Sequence, residues 1–271
     1  MIHFVGAGAG APDLITVRGR ELLRAADVVI YAGSLVNPIL LGYCRESARI
    51  YDSKEMTLPQ VLSVMRAAEA DGLTTVRLHT GDPAIYGAIR EQMDALREAE
   101  IPFDVTPGVS SFCAAAAALK AEYTLPEVSQ TVIITRMEGR TPVPEAEKLE
   151  RLAGIGATMV IFLSAGATNR VQTALLKGAY TEDTPAAIVY KASWPEERVL
   201  RCTVGTLHRT AVENDITRFA LILVGDFLRE GPAVYEKSRL YAPEFTTGFR
   251  KGNADDIGPC KAGAEDEHGE T

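Results

Sequence analysis

The chain has 271 residues, 46% hydrophobic and 24% charged, the balance of a globular protein with a sizeable core rather than of a disordered or fibrous chain. Its formal net charge of -8 argues against a nucleic-acid partner, and no apolar run reaches membrane-spanning length. Cys44, Cys113, Cys202 and Cys260 lie far apart and the histidines are scattered, so neither a disulfide framework nor a metal site is expected. The opening Met1-Ile2-His3-Phe4-Val5 lacks the layout of a signal peptide, so a cytoplasmic location is expected.

Residues 2–5 read as a short buried strand. A glycine-rich loop follows, then a helix capped by Thr16 and carrying Leu22, Leu23 and Ala26. The loop fits the dinucleotide pattern Gly-x-Gly-x-x-Gly/Ala through Gly6, Gly8 and Ala11, with Asp27 and Asp52 as candidate acids further on. A tight turn between strand and helix explains the same residues, and Pro12-Asp13 continues poorly into a phosphate-binding helix. Residues 27–31 form a second strand, which ends in a loop holding Gly33 and Ser34. A short strand at 49–52 and a helix at 58–71 come next, the helix apolar at Val61, Leu62, Met65 and Ala68 with Gly72 beyond its end.

Residues 74–79 are again a strand, β-branched at Thr74, Thr75 and Val76, and it breaks at Thr80-Gly81-Asp82-Pro83. Gly81 can take positive φ or admit a ligand to the backbone, Asp82 before proline is disfavoured as helix, and Pro83 suits a first helical position. The spacing predicts a helix from about Pro83 to Glu98, with Ile85, Ile89 and Met93 on one face. A strand at 103–106 ends in Pro107-Gly108-Val109-Ser110-Ser111, and an alanine-rich helix follows over 112–120. The two serines stand where a helix N-terminus offers free N–H groups, and equally where simple caps would stand.

Residues 122–129 are polar, contain Pro126 and show no period, so a domain boundary is expected there. Beyond it strands recur at 131–135, 158–163, 186–191 and 220–225, with a looser, antiparallel candidate at 197–204. Helices fall near 145–152, at 169–176 and from Thr206. The loop 136–144 carries Arg136 and Arg140. Periodicity is lost after 240, although Tyr241, Phe245 and Phe249 are too many aromatics for a pure linker. From 251 the Gly-, Asp- and Glu-rich composition predicts disorder.

The alternation of strands and helices places the chain in the α/β class. The loops near Gly8, Ser34, Gly81 and Ser110 all follow strand ends, and in a parallel sheet such loops converge on one edge and wall one pocket. No Ser/His/Asp triad, Cys/His pair or Walker loop is present, which disfavours hydrolase and phosphotransferase chemistry. A pocket of backbone and small side chains suits a reaction between two bound small molecules, with the protein supplying position and electrostatics.

Taken in order, these loops resemble the tetrapyrrole methyltransferase family of cobalamin and sirohaem synthesis. The carrying stretches are residues 5–16, 31–36, 80–87, 107–111, 158–164 and 219–225, which together span about 1–240. Within the family, Tyr-Ala-Gly-Ser-Leu-Val at 31–36, the 136–144 loop and Phe-Thr-Thr-Gly-Phe-Arg at 245–250 look like the members that methylate precorrin-4 or its cobalt form at C11.

The resemblance implies two α/β domains with a cleft between them, at 1–122 and 123–240, and a C-terminal extension at 241–271. It also implies a homodimer, a small-molecule tetrapyrrole substrate and S-adenosylmethionine as methyl donor, without nucleic acid or membrane. By motif, the donor's contacts fall on Ala9, Thr80, Gly81, Asp82, Ile85, Ser110, Ser111, Leu163, Ala192 and Ala220, and the first loop faces the tetrapyrrole rather than a pyrophosphate. The chain departs from the family at Ala9, where proline is usual, at Ala11, where an acid is usual, and at Ser164 beside Leu163, where methionine is frequent. Ser34, Arg136 and Arg140 are the candidates for substrate binding. No catalytic base is assigned, because an electron-rich ring carbon can displace a sulfonium methyl unaided. An acidic chain that takes a polyanionic substrate needs a local basic patch in its cleft. Two other readings stay open on the residues: an NAD-dependent oxidoreductase using the first loop, and a non-catalytic tetrapyrrole-binding protein of the same fold.

Overall fold

The short apolar strands of the first half pair side by side. β1 (Ile2–Gly6), β2 (Val28–Tyr31), β3 (Arg49–Asp52), β4 (Thr75–His79) and β5 (Phe103–Thr106) make a wholly parallel sheet in the order β3-β2-β4-β1-β5. This is a computed structural model, and it describes residues 1–231, 235, 238, 240, 242–248 and 250–252. Parallel strands need crossovers that cover both faces. Val5, Val29, Val76 and Leu78 point to the face that packs on Leu23 of α1 (Val17–Ala25) and on Leu40. Ile2, Phe4, Val28 and Ile30 point to the other, against Val61 and Met65 of α2 (Leu58–Ala70) and Leu96 of α3 (Arg90–Glu98). The connections from β1 and β4 leave toward opposite edges, to β2 and to β5, so the loops after these two neighbours flank a crevice.

The second half builds a mixed sheet from β6 (Val132–Arg136), β7 (Thr158–Phe162), β8 (Pro185–Tyr190), β9 (Arg198–Thr203) and β10 (Ala220–Val224), in the order β6-β7-β10-β8-β9. β6 runs parallel to β7, whereas β10 is antiparallel to both β7 and β8. One face is covered by α5 (Leu149–Ala153), α6 (Thr168–Leu176) and α7 (Leu207–Glu213), through Leu149, Val171, Leu175 and Leu207. The other face receives an element of the first half. Ala114, Ala115 and Leu119 of α4 (Ser111–Leu119) pack on Val160, Ala187, Leu221 and Leu223. The alanines let the helix lie close to the sheet, and Arg201 of β9 donates from Nη2 to the Leu119 carbonyl at the helix C-terminus, 3.1 Å.

The helix expected from Pro83 begins at Arg90 instead. The Asp82 carboxylate accepts the Ala84 N–H at 2.8 Å, which sets a turn, and Tyr86 and Ala88 take left-handed backbone at φ 56° and 50°. The apolar residues still find partners, but on different bodies: Ile85 joins the cluster between the halves, whereas Ile89 and Met93 pack on the first sheet. Among the described residues no helix is long and apolar enough to cross a membrane. Arg250 gathers the carbonyls of Ala242 and Phe245, at 2.8 and 3.1 Å, into a local turn. The expectations for Tyr241, Phe249, Cys260 and the chain beyond 252 lie outside the described residues.

The ends of β1, β4 and β5 meet backbone to backbone. A Cβ on Gly6 would lie 2.6 Å from the Gly108 Cα and 2.7 Å from the Gly81 carbonyl oxygen, and neither backbone can give way cheaply. Gly6→Ala is therefore expected to cost about 2 kcal/mol or more, at the upper end of overpacking effects. Urea denaturation would measure it; a variant as stable as the parent would show that these strand ends are loosely held.

Candidate active site

The strand-end loops of the first sheet face the second sheet across a cleft of about 740 Å³. The loop after β1 is fastened to the loop after β4 by a reciprocal pair: Gly8 N–H donates to the Gly81 carbonyl at 3.3 Å, and Gly81 N–H to the Gly8 carbonyl at 2.9 Å. Both glycines are left-handed, at φ 79° and 59°. Space beside Gly81 is not closed, since a Cβ there would sit 3.4 Å from the Ser110 Cα. Asp82 ties this loop to the next one. Its Oδ2 accepts the Gly108 N–H at 3.0 Å while Oδ1 holds Ala84, so the carboxylate is committed to the backbone. Ser110 is the N-cap residue of α4, yet its side chain makes no capping bond, which leaves the first N–H groups of that helix available toward the cleft.

The second sheet supplies the other wall from the ends of β7 and β8 and the start of β10. Leu163 follows β7 at φ 52° with 63% of its surface exposed, an apolar side chain held out into the cleft by left-handed backbone. Ala192 lies just past β8 and leads into Ser193 and Trp194. Ser193 Oγ accepts the Ala11 N–H at 3.0 Å, and Trp194 packs so closely against Gly10 that no side chain fits there. Asn37 completes this joint by donating to the Gly10 carbonyl at 2.8 Å.

Every residue carried over as a methyl-donor contact lines this one cleft: Ala9, Thr80, Gly81, Asp82, Ile85, Ser110, Ser111, Leu163, Ala192 and Ala220. Ser34 lines it too. Arg136 and Arg140 do not. Arg136 turns back on its own loop, donating to the carbonyls of Thr141 at 3.2 Å and Pro142 at 2.8 Å. It remains near the rim, where its charge partly opposes the rise that burial imposes on the Tyr86 hydroxyl pKa. The cations that do line the cleft are Lys54, Lys191 and Arg218, with Tyr86, Trp194 and Phe219 among the aromatics. A search along strand carboxyl ends passes over Arg218 and Phe219. Thr217, Arg218 and Phe219 precede a strand, and they reach the cleft only because β10 runs antiparallel to its neighbours.

The first loop does not build a dinucleotide site. It passes through a short 3-10 turn at Pro12–Leu14, and α1 starts only at Val17, capped by Thr16 Oγ1 on the Gly19 N–H. The glycines therefore open onto a turn and the second sheet's side of the cleft, not onto a helix N-terminus.

Beneath the Gly81 loop, the last residues of β4 include two buried basic side chains. Arg77 is 6% exposed and, among the described residues, has no carboxylate partner; it donates to the Ile30 carbonyl and the Gln92 side chain, both at 3.2 Å, and burial lowers its pKa to about 10. Gln92 in turn donates to the Ala88 carbonyl at 3.0 Å, so a polar chain runs from the strand to the loop that bears Ile85 and Tyr86. His79 is 4% exposed and lies against the Phe4 ring; burial and the nearby Arg77 charge lower its pKa from 6.5 to about 3.

A sequence model of the tetrapyrrole (corrin/porphyrin) methylases matches residues 1–208. A Methanocaldococcus jannaschii protein named cobalt-precorrin-4 C(11)-methyltransferase is 50% identical over 250 residues, which is 92% of this chain and 96% of that protein. The X-ray structure of a cobalamin biosynthetic enzyme, cobalt precorrin-4 methyltransferase, superposes with a TM-score of 0.83 at 45% identity, covering 84% of this chain and 96% of the other. A Thermus thermophilus uroporphyrin-III C-methyltransferase in complex with S-adenosylhomocysteine superposes with a TM-score of 0.71 at 25% identity, over 84% of this chain and 93% of its own.

His79 gives the protein an acid-sensitive element. Below pH 6.5 the unfolded chain binds a proton that the folded chain refuses until about pH 3, so acidification favours unfolding over that interval. At pH 5 this amounts to on the order of 2 kcal/mol. Denaturant titrations at pH 7 and pH 5 should show the wild type losing that much more stability than His79→Leu; parallel losses in the two proteins would mean His79 is protonated in the folded state.

Proposed function

The chain belongs to the tetrapyrrole (corrin/porphyrin) methylase family, and we propose that it catalyses S-adenosylmethionine-dependent methylation of precorrin-4 or cobalt-precorrin-4 at C11, a step in cobalamin biosynthesis. The observation that carries this reading is the convergence of ten separately spaced residues from both sheets on a single cleft. High identity over nearly the full length of a relative named for this reaction supports the choice of substrate and carbon. A domain division at 122–123 is part of the proposal, supported by the two sheets holding residues 2–106 and 132–224.

The residues fit an S-adenosylmethionine molecule. The open N-terminus of α4 offers N–H groups to a carboxylate, and Ser110 and Ser111 add hydroxyls beside them. The left-handed Gly81 presents backbone without a side chain in the way. Ile85, Val189 and Leu221 provide apolar surface for a flat ring. When bound, that cofactor supplies an electrophilic methyl group on a sulfonium. The chain's own contribution is to hold two ligands in register, with the Asp82 bridge fixing the relative position of the loops after β4 and β5. Leu163, Phe162 and Trp194 exclude water from the space between the two ligands. With one oxygen on the Ala84 N–H and the other on the Gly108 N–H, Asp82 acts by positioning.

S-adenosylhomocysteine at about 100 times its Kd should stabilise the protein by about 2.7 kcal/mol, a rise of roughly 5–10 °C in Tm, and NAD should do nothing. Stabilisation by NAD alone would overturn the assignment. Gly81→Arg should fold, since left-handed backbone costs a non-glycine residue only about 1–2 kcal/mol, and it should lose methyl transfer with at least about a hundredfold loss of S-adenosylhomocysteine affinity. Calorimetry on the folded variant checks this, and near-native affinity would remove the loop from the site.

A further inference from the structure

The C-terminal wall of the cleft alternates cations with aromatic rings. Lys191 Nζ lies 5.1 Å from the Trp194 ring centre, 5.8 Å from Tyr190 and 6.0 Å from Phe219. The Arg218 guanidinium carbon lies 5.2 Å from the centre of the same Phe219 ring. Phe219 is itself fixed: its backbone is left-handed at φ 57°, and its carbonyl accepts the Lys191 N–H at 2.8 Å.

The three cleft cations differ in what they have left to give. Lys54 is paired with Asp52 at 2.9 Å, and Lys191 with Glu196 at 2.8 Å. Arg218 is exposed and, among the described residues, has neither an ion pair nor a hydrogen bond; its guanidinium lies over the Phe219 ring. A guanidinium spread on an aromatic face keeps its edge, with five N–H donors, turned outward in a fixed fork. Of the three cleft cations, Arg218 is the one whose charge is not matched by a neighbouring carboxylate among the described residues.

We infer that Arg218, seated on Phe219, is the anchor for a carboxylate side chain of the tetrapyrrole substrate, with Lys191 as the weaker second cation of the same wall. The inference rests on the methyltransferase reading and deepens it. A tetrapyrrole carries acetate and propionate groups around a flat conjugated ring, so it matches a wall that offers both charge and aromatic faces. The fork geometry suits bidentate capture of a carboxylate, and it fixes orientation as well as affinity. The local basic patch that an acidic protein needs for such a substrate is thus carried by the start of β10, not by the 136–144 loop.

The test compares wild type, Arg218→Gln and Arg218→Lys in two measurements. Calorimetry with S-adenosylhomocysteine should give the same affinity for all three; a loss of that affinity in Arg218→Gln would place Arg218 on the methyl donor's side of the wall, beside Ala220, and overturn the inference. Methyl-transfer kinetics with cobalt-precorrin-4 should give Arg218→Gln a KM for the tetrapyrrole raised about tenfold or more, with kcat within about threefold of wild type. Arg218→Lys should recover part of the loss, because it restores the charge without the fork. The wild-type KM should rise with salt more steeply than that of Arg218→Gln. Normal S-adenosylhomocysteine binding with an unchanged tetrapyrrole KM in Arg218→Gln would overturn the role of Arg218 alone. A wild type that fails to bind S-adenosylhomocysteine would overturn the methyltransferase reading, and this inference with it.

Discussion

Everything at the cleft depends on how closely α4 lies against the second sheet. The helix belongs to the first half by sequence and to the second by packing, with Ala114 and Ala115 seated on Val160, Ala187 and Leu223. A larger residue at either alanine would push the sheets apart and move the loops after β4 and β5 away from Leu163 and Ala192. The same helix begins at Ser110, so the element that sets the spacing of the two walls also presents its N–H groups between them. Position and recognition are therefore coupled in one short segment. Arg201 locks its far end through the Leu119 carbonyl.

Left-handed backbone is concentrated around the cleft. Tyr86, Leu163, Lys191 and Phe219 line it, and Ala88 and Ser193 adjoin it, all with φ between 46° and 66°. Each costs a non-glycine residue of order 1 kcal/mol or more, and such residues persist only where the surroundings over-determine them. Here the surroundings are identifiable. Gln92 holds the Ala88 carbonyl, the Ala11 N–H and Glu197 hold Ser193, and Lys191 and Phe219 hold each other across β8 and β10. The strain turns side chains toward the ligand space that a relaxed strand end would send elsewhere.

Much of this was legible in the sequence. Period-2 apolar runs that stop at Gly6, Thr80 and Pro107 announce strands of a parallel sheet, and the residues after them gather on one edge by topology alone. What was hidden had physical reasons. Ile85, Ile89 and Met93 satisfy helical spacing, but the same spacing is met by a turn that sends Ile85 to one body and the other two to another. Arg136 sits in a loop at a strand end, as a substrate ligand would, yet loop carbonyls are acceptors that no spacing rule counts. Arg218 lies before a strand, and only the antiparallel run of β10 brings it to the cleft.

The two halves touch at several separated places, among them the Tyr86 ring, 5.5 Å from that of Phe162. α4 packs on the second sheet, and the first loop is pinned through Ala11 to Ser193 and through Gly10 to Trp194. A body joined at one point can swing open about its connecting segment; one joined at several cannot do so without breaking a joint. Large-scale opening about residues 122–129 would break these contacts together, so ligand exchange through small excursions of the cleft's rim disrupts less of the structure. A flat, bulky molecule then enters edge-on, and its arrival rate is set by the width and charge of that rim instead of by a swinging domain.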